Sequence, residues 1–565
     1  MSIPLANFRS FLILALASLA LLLPAIFIGI PENYDLPQHL RFAVTYHEAF
    51  LLGNPFPAFG WSDNLGYGSV GIRFYPPLVH IFMGLVQFVT SSWYDTLWIT
   101  MLTFMFLGSV GAYFFALEML PRTWALSGAI LYMVLPYHLW EIFQAFLLSE
   151  FAAAAILPFC FLFLHRLLRR QRIEDAAFLA CSVSLLILAH LPSAIMGSIA
   201  LAVYAVPFLS KRNLSARRLL LVAGSAFATA VATSAYWLRM VRELEWVKHN
   251  TTKYYATGHY NYSIYFFPTF LINGDDYFPL FFWIFDLTIA ATLILLIPAV
   301  IAFARKCVPD SVKAVSLPLF LVAVVSAGMT SIISKPLWDS VPLLQKLQFP
   351  FRWLSILSFA AAMLFPVGIR FVIFNGQPIT RKTAYPLAAL ALFVFIFDAT
   401  QIVIPSVPVP RSEIARRVTE ISQTLGCECW WPIWANKEAL NHLSKIDAGS
   451  RETQISAWLP EKRELQIGPG EAADVRLALF YYPHWQIRLN DVEATLKPAS
   501  DGAIMFRVPP GPVRVSLEFR EPSAVVYSRP FSLAILAFLP LFGIFVRLYT
   551  QKLNQKAAPT GLENE

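Results

Sequence analysis

The chain has 565 residues, of which 57% are apolar, 15% aromatic and only 14% charged, with a formal net charge of +8. Soluble domains carry about 25% charged residues, whereas here the apolar residues gather into blocks of about 20, the length that crosses a hydrocarbon core. These figures exclude a multidomain soluble enzyme, a secreted disulfide scaffold, a nucleic-acid-binding module and a disordered tail. They predict a polytopic α-helical membrane protein, whose positive charge reports topology rather than an acidic partner.

The first apolar run, Phe8 to Ile30, is too long for the apolar core of a secretory signal and lacks a small-residue cleavage site, so it reads as an anchor. Further apolar segments follow at 96–118, 123–137, 148–166, 174–190, 192–209, 217–238, 279–303, 312–331, 352–374, 383–404 and 528–548. The segment 77–91 is short and is approached through Pro76 and Pro77. If it crosses the membrane, the basic runs 165–172 and 211–218 fall outside. If it lies in the interface, every basic loop falls inside, as the positive-inside rule requires. The second arrangement gives about twelve transmembrane helices with both termini cytoplasmic.

Four outer segments follow from that topology: 31–95, 138–147, 239–278 and 332–351. Residues 1–404 then form a transmembrane domain. Residues 405–527 differ in composition, with 14 basic and 15 acidic residues among 123. Period-two runs such as Trp485, Ile487, Leu489 and Val513, Val515, Leu517, Phe519 predict a small extracytoplasmic β-sandwich. The last helix, 528–548, and a cytoplasmic tail, 549–565, complete the chain. Cys160, Cys181 and Cys307 lie in or beside apolar segments, Cys427 and Cys429 are two apart, and no Cys–His set has zinc spacing.

Ionisable groups at the ends of membrane spans are costly unless they pair or work, and they collect here in the outer loops. In the first loop, Asp35 precedes a juxtamembrane helix that carries His39, His47 and Glu48; Asp35 is either a helix cap or a reactive carboxylate. Asp63 and Arg73 follow among glycines and aromatics suited to a sugar or to an interfacial belt. His138, Glu141 and Glu150 mark the second loop, as a buried pair or as working groups. His190 reads as a structural turn residue. In the third loop Arg239, Arg242, Lys248, His249 and Lys253 alternate with aromatics, which suits a phosphate head group or a solvated loop. In the fourth, Gln348 and Arg352 flank Pro350; Arg352 either binds a phosphate bidentately or snorkels to the interface.

The segments DLPQH, YPPL, HLWEIFQAFLLSE with FAAAAILPF, and LWDSVPLLQKLQFPFRWLS resemble a bacterial membrane protein family labelled 6-pyruvoyl-tetrahydropterin synthase-related. The three-histidine zinc pattern of the soluble pterin enzyme is absent. The family resembles the type C (GT-C) integral-membrane glycosyltransferases. The YYPHWQIRLNDVEA segment resembles its outer β-domain, with His484 in place of a glycine. The resemblance implies a multi-pass protein of the bacterial inner (cytoplasmic) membrane, surrounded by membrane lipid. It would move a sugar from a polyprenyl-phosphate (or pyrophosphate) donor to an extracytoplasmic glycan, lipid or protein acceptor, without nucleic acid. The catalytic carboxylate falls on Asp35, with Glu150 beside it. Arg352, Lys248 and Arg73 are expected on the donor phosphate, and His39, His138, Glu141 and Gln348 on sugar or acceptor. Relatives carry two adjacent acids where Leu36 follows Asp35, and the adjacent pair Asp275-Asp276 lies in another loop, so a divalent cation such as Mg2+ or Mn2+ is left open. A lipid or glycan transporter, or a non-catalytic scaffold of an envelope-polysaccharide complex, is the alternative.

Overall fold

The computed structural model describes residues 5–33, 35–209, 215–273, 279–376, 396, 399–437, 440 and 444–557. The first eleven helices are α1 (Leu5–Phe27), α2 (Leu36–Leu51), α3 (Leu78–Thr90), α4 (Trp93–Ala116), α5 (Arg122–Val134), α6 (Pro136–Phe143), α7 (Leu148–Arg170), α8 (Ile173–Ala189), α9 (Leu191–Ala205), α10 (Ala216–Ala232) and α11 (Ser234–Glu243). Among the described residues nine helices are long and apolar enough to cross a membrane. The pair α10 and α11–Trp246, bent by 69°, makes a tenth if counted as one span. The expected crossing at 174–190 is α8, only 17 residues long and opening on buried Glu174 and Asp175. It packs inside the bundle against α7, α10 and the C-terminal helix Ser523–Ala557. The expected crossing at 383–404 and the pair Asp275-Asp276 lie largely or wholly outside the described residues. At 13 residues, α3 reaches about 20 Å, short of a hydrocarbon core.

Two helices form the centre of the bundle. The spans Leu148–Arg170 and Pro350–Val372 are 83% and 78% buried, against 17% for Ser523–Leu553. Small residues allow that enclosure: Ala152 to Ala155 and Ala360 to Ala362 are all buried, and a Cβ on Gly108 of α4 would stand 3.0 Å from the Ala155 Cα. Pro136 breaks the span before α7, because a residue preceding proline is driven out of the helical region; Leu135 is extended at φ −62°, ψ 136°. The break turns α6 and carries His138 and Glu141 toward the start of α7.

The outer part is tied to the bundle by chain pairing. Strand β1 (Ile30–Pro31) pairs antiparallel with β2 (Pro408–Val409). Gly29 permits it, since a Cβ there would lie 2.7 Å from the Pro408 Cβ. The β-domain comprises β3 (Ile446–Asp447), β4 (Thr453–Leu459), β5 (Lys462–Ile467), β6 (Ala473–Phe480), β7 (Trp485–Leu489), β8 (Val492–Ala494), β9 (Lys497–Pro498), β10 (Ala503–Val508) and β11 (Val513–Phe519). Two antiparallel sheets result, ordered β3-β6-β10-β9 and β4-β5-β11-β7-β8. Their facing side chains share one core with Phe59, Val70 and Phe74 of the first outer loop. The strands thus start at 446. Residues 411–430 form a short helix and turns, which touch the first outer loop through Arg41 of α2, paired with Asp63 and bonded to Thr424.

A buried ionic junction welds loop, bundle and β-domain together. The Arg73 guanidinium donates to both Glu243 oxygens at 2.6 Å and to Glu521 at 2.8 Å. Tyr482 and His484 meet the same Glu243 carboxylate at 2.7 and 2.9 Å. Arg239, 2.8 Å away, and Arg529 complete the set around Glu521. Breaking a buried pair from one side leaves an uncompensated charge, a loss of about 3–5 kcal/mol. Arg73→Met is therefore expected to lower the unfolding midpoint in detergent and to expose the β-domain to limited proteolysis. The solvent-facing Arg514→Met should change stability by about 0.5 kcal/mol or less. Equal behaviour of the two variants would show that the junction does not hold the domain.

Candidate active site

Asp35 ends the β1 approach and stands at the N-cap of α2, where its side chain makes no capping hydrogen bond. Among the described residues its carboxylate has no hydrogen-bond or ion-pair partner, and solvent reaches part of it. Burial by its surroundings pushes the Asp35 carboxyl up to about 6; the Arg352 charge opposes that rise and the Glu150 charge adds to it. Tyr75 and Tyr260 also lie within the field of Asp35.

Glu150 occupies the first turn of α7, where a carboxylate complements the helix dipole. It accepts from Arg352 Nε at 3.0 Å and from the Tyr137 hydroxyl at 2.7 Å. Arg352, at the start of the Trp353–Val372 helix, also donates from Nη1 to the Leu347 carbonyl at 2.7 Å, and its guanidinium lies 4.8 Å from the Phe349 ring centre. Its Nη2 makes no hydrogen bond among the described residues. Two elements far apart in sequence thus hold one guanidinium by two of its donors and leave its remaining edge free beside an unpartnered carboxylate.

The structure brings together Asp35, Glu150 and Arg352 and ties the other expected site residues to partners within the protein. Arg73, expected on the donor phosphate, is fully buried in the junction with all its donors engaged. Lys248, expected on the same phosphate, is neutralised by Glu428 at 2.6 Å and lies over the Trp431 ring. His39, His138 and Glu141, expected on sugar or acceptor, are 2%, 2% and 0% exposed. His39 instead pairs with His80 at 2.9 Å, and burial holds it neutral, down to about 4. His138 bonds Glu141 at 2.9 Å. All three sit on helix faces turned into the bundle. Gln348 donates to the Tyr254 carbonyl at 2.7 Å and so clasps the third outer loop over Arg352. Its positive φ of 67° sets the turn into Pro350.

The wall of the site includes His249, read in the sequence only as one of the third-loop cations, and two aromatics that the sequence gives no role, Tyr75 and Trp430. Tyr75, Trp430 and His249 form an aromatic series: Tyr75 meets Trp430 at 5.4 Å, and Trp430 stacks on His249 at 4.5 Å. Trp430 follows a Cys427–Cys429 disulfide that brackets Glu428. Trp430 shows no period and lies far from the other outer loops in sequence, so only the fold reveals it. A divalent cation does not fit the donor set. Glu150 is spent on Arg352 and Tyr137, a guanidinium faces Asp35, and no group of three or more His, Cys, Asp or Glu side chains is placed for a metal among the described residues.

Residues 72–406 match the family described as 6-pyruvoyl-tetrahydropterin synthase related domain, membrane protein. The chain belongs to this family. No curated protein matches this member of the 6-pyruvoyl-tetrahydropterin synthase related family in sequence. Among solved structures, it is similar to the archaeal oligosaccharyltransferase AglB from Archaeoglobus fulgidus, in complex with an inhibitory peptide and a dolichol-phosphate, at 13% identity and TM-score 0.37 over 74% of this chain and 56% of that one. It is also similar to the arabinosyltransferase EmbB from Mycobacterium smegmatis, at 12% identity and TM-score 0.35 over 91% and 63%. The family member described here therefore spans less than two thirds of the length of either protein.

The state of Asp35 is testable without any substrate. Because the folded pKa lies above the ordinary value, Asp35 favours folding below about pH 4, and that contribution is lost as pH rises through about 6. Asp35→Asn should therefore match the parent protein at about pH 4 and exceed it by on the order of 1 kcal/mol at about pH 7.5. A simple capping aspartate would show no such gain at the higher pH, only a loss.

Proposed function

We propose that this chain is a membrane glycosyltransferase of the GT-C type, which moves a sugar from a polyprenyl-phosphate-linked donor to a hydroxyl acceptor on the extracytoplasmic face. The observation that carries this reading is the unpartnered Asp35 carboxylate, raised toward neutrality beside the free edge of Arg352. The sequence resemblance of the family supports the chemistry. The Cys427–Cys429 disulfide supports an outer placement, since disulfides persist in oxidising compartments.

In this mechanism Asp35 accepts the proton of the acceptor hydroxyl while that oxygen bonds to the anomeric carbon. The bond from that carbon to the donor phosphate oxygen breaks on the opposite face, with inversion, and its electron pair leaves with the phosphate. A base of pKa about 6 does not remove the proton beforehand; the proton moves as the new bond forms, a contribution of about 10²–10⁴ in rate. A phosphate leaving group needs charge stabilisation rather than a proton, and the Arg352 guanidinium supplies it. Glu150 is a positioning residue: it aims Arg352 and lifts the pKa of Asp35.

Native mass spectrometry of the purified chain should reveal a co-bound polyprenyl-phosphate sugar. Asp35→Asn should lower transfer by about 100-fold or more, with insertion intact. Full complementation of a deletion strain's envelope-glycan defect by that variant, at matched expression, would refute Asp35 as the base. The activity of the parent protein should fall as pH drops through about 6. Glu150→Gln removes a negative neighbour, so the acidic limb should move to lower pH. A limb that stays in place would remove Glu150 from the electrostatics of the base.

A further inference from the structure

The third outer loop carries a side chain that none of the contacts above employs as a donor. His249 sits in the short turn Lys248–Asn250. Its ring lies flat on Trp430, with 23° between the planes. Trp430 abuts Tyr75, which feels the charges of Asp35, Glu150 and Arg352. His249 itself feels the Arg352 charge, so the imidazole belongs to the wall of the same site. The backbone around it is pinned on both sides. Lys248 N donates to the Trp431 carbonyl at 3.0 Å, and Lys346 Nζ donates to Asn250 Oδ1 at 2.9 Å.

The His249 Nδ1 atom is buried and has no hydrogen-bond partner among the described residues. A buried polar atom left without a partner is costly, and a ligand oxygen would satisfy it. Burial, helped by the Arg352 charge, lowers the pKa of this ring to about 4, so near neutral pH it offers one N–H and no positive charge. The neighbouring cations are engaged elsewhere, Lys346 by Asn250 and the Tyr255 ring. Lys248 and Lys253 both turn to Glu428, at 2.6 and 3.5 Å. Among the described residues Arg352 is the cation that acts on Asp35.

We propose that His249 is the second ligand of the phosphate faced by Arg352, donating its ring N–H to a phosphate oxygen, and that the pair is built for a single phosphate ester rather than a diphosphate. This rests on the reading of the site as one for a phosphate-linked carrier. The free edge of Arg352 and one neutral N–H match the oxygens of one phosphate group, and with Glu150 and Asp35 already beside that single guanidinium, further ligand charge is opposed. A diphosphate ester would bring at least one further charge with no cation to meet it. Trp430 fixes the height of the imidazole, and the Cys427–Cys429 bridge fixes the turn that carries Trp430.

The test is binding of undecaprenyl monophosphate to the full chain in detergent, titrated by native mass spectrometry, with undecaprenol, undecaprenyl diphosphate and inorganic phosphate as further probes. His249→Phe keeps a ring on Trp430 and removes the N–H; its affinity for the monophosphate should fall about tenfold or more, as for loss of a hydrogen bond to a charged group. His249→Gln restores an N–H and should recover most of that loss, which guards against a folding artefact in the Phe variant. Undecaprenol should bind about tenfold or more weakly, and inorganic phosphate should compete if the head group alone is recognised. If the parent protein binds no monophosphate, the carrier reading of the site falls and this proposal with it. If Arg352→Gln loses binding while His249→Phe binds as the parent does, the carrier reading stands and the role of His249 is overturned. A diphosphate bound more tightly than the monophosphate would overturn the charge match.

Discussion

A charge that enters a lipid-facing protein must be paired, and the Arg352–Glu150 pair is where this structure meets that demand. Its members start the two most enclosed helices of the bundle, so the pair fixes those helices to each other at their outer ends. It would cost several kcal/mol to place either charge there alone. The pairing leaves half of the guanidinium uncommitted, and that residue of unsatisfied donors gives the outer face its chemical character. Asp35, placed opposite by the β1–β2 pairing, completes an arrangement in which one acid is spent on holding the cation and the other is left free.

The second organising element is the junction around Arg73 and Glu243. It joins a loop near the start of the chain, a bent helix in the middle and the β-domain near the end. Arg73 and Glu243 are as buried as the Arg352 pair, yet the two groups face each other and every Arg73 nitrogen has a partner. Two ionic clusters of similar composition therefore do different things: one is closed and rigid, the other open on one edge. The difference lies in the count of acids to bases and in which edge meets solvent.

Much of the fold was legible in the sequence because the lipid core imposes long apolar blocks and the β-domain imposes alternation. The proline pair before α3 marks the start of a helix of only 13 residues. The helix count was less legible at α8, where Glu174 and Asp175 shorten an otherwise apolar run. In the site, Asp35, Glu150 and Arg352 were legible because an ionisable group at a span mouth is rare and costly. Arg73, Lys248, His39, His138, Glu141 and Gln348 have internal partners that the sequence could not show. A sequence shows that a polar residue lies in an outer loop but not which way its side chain turns, and each of these turns toward another residue of the protein. His249 stood in plain view in the third loop, yet nothing local distinguishes it from Lys248. Only the contact with Trp430, about 180 residues away, does so.

The β1–β2 pairing carries a consequence for biogenesis. Ile30 leaves the ribosome early but meets Val409 only after about 380 further residues have been made, many seconds at ordinary rates of synthesis. Asp35 is thus among the first polar groups to be made and among the last to reach its final place. Through that interval the first outer loop is a tethered, incomplete surface, with Arg73 waiting for a partner at Glu521 that arrives just before the final helix. Chains stopped short of the β-domain would hold the Arg352–Glu150 pair but lack the partners of Arg73, so the arrangement around Asp35 is finished only at the end of translation.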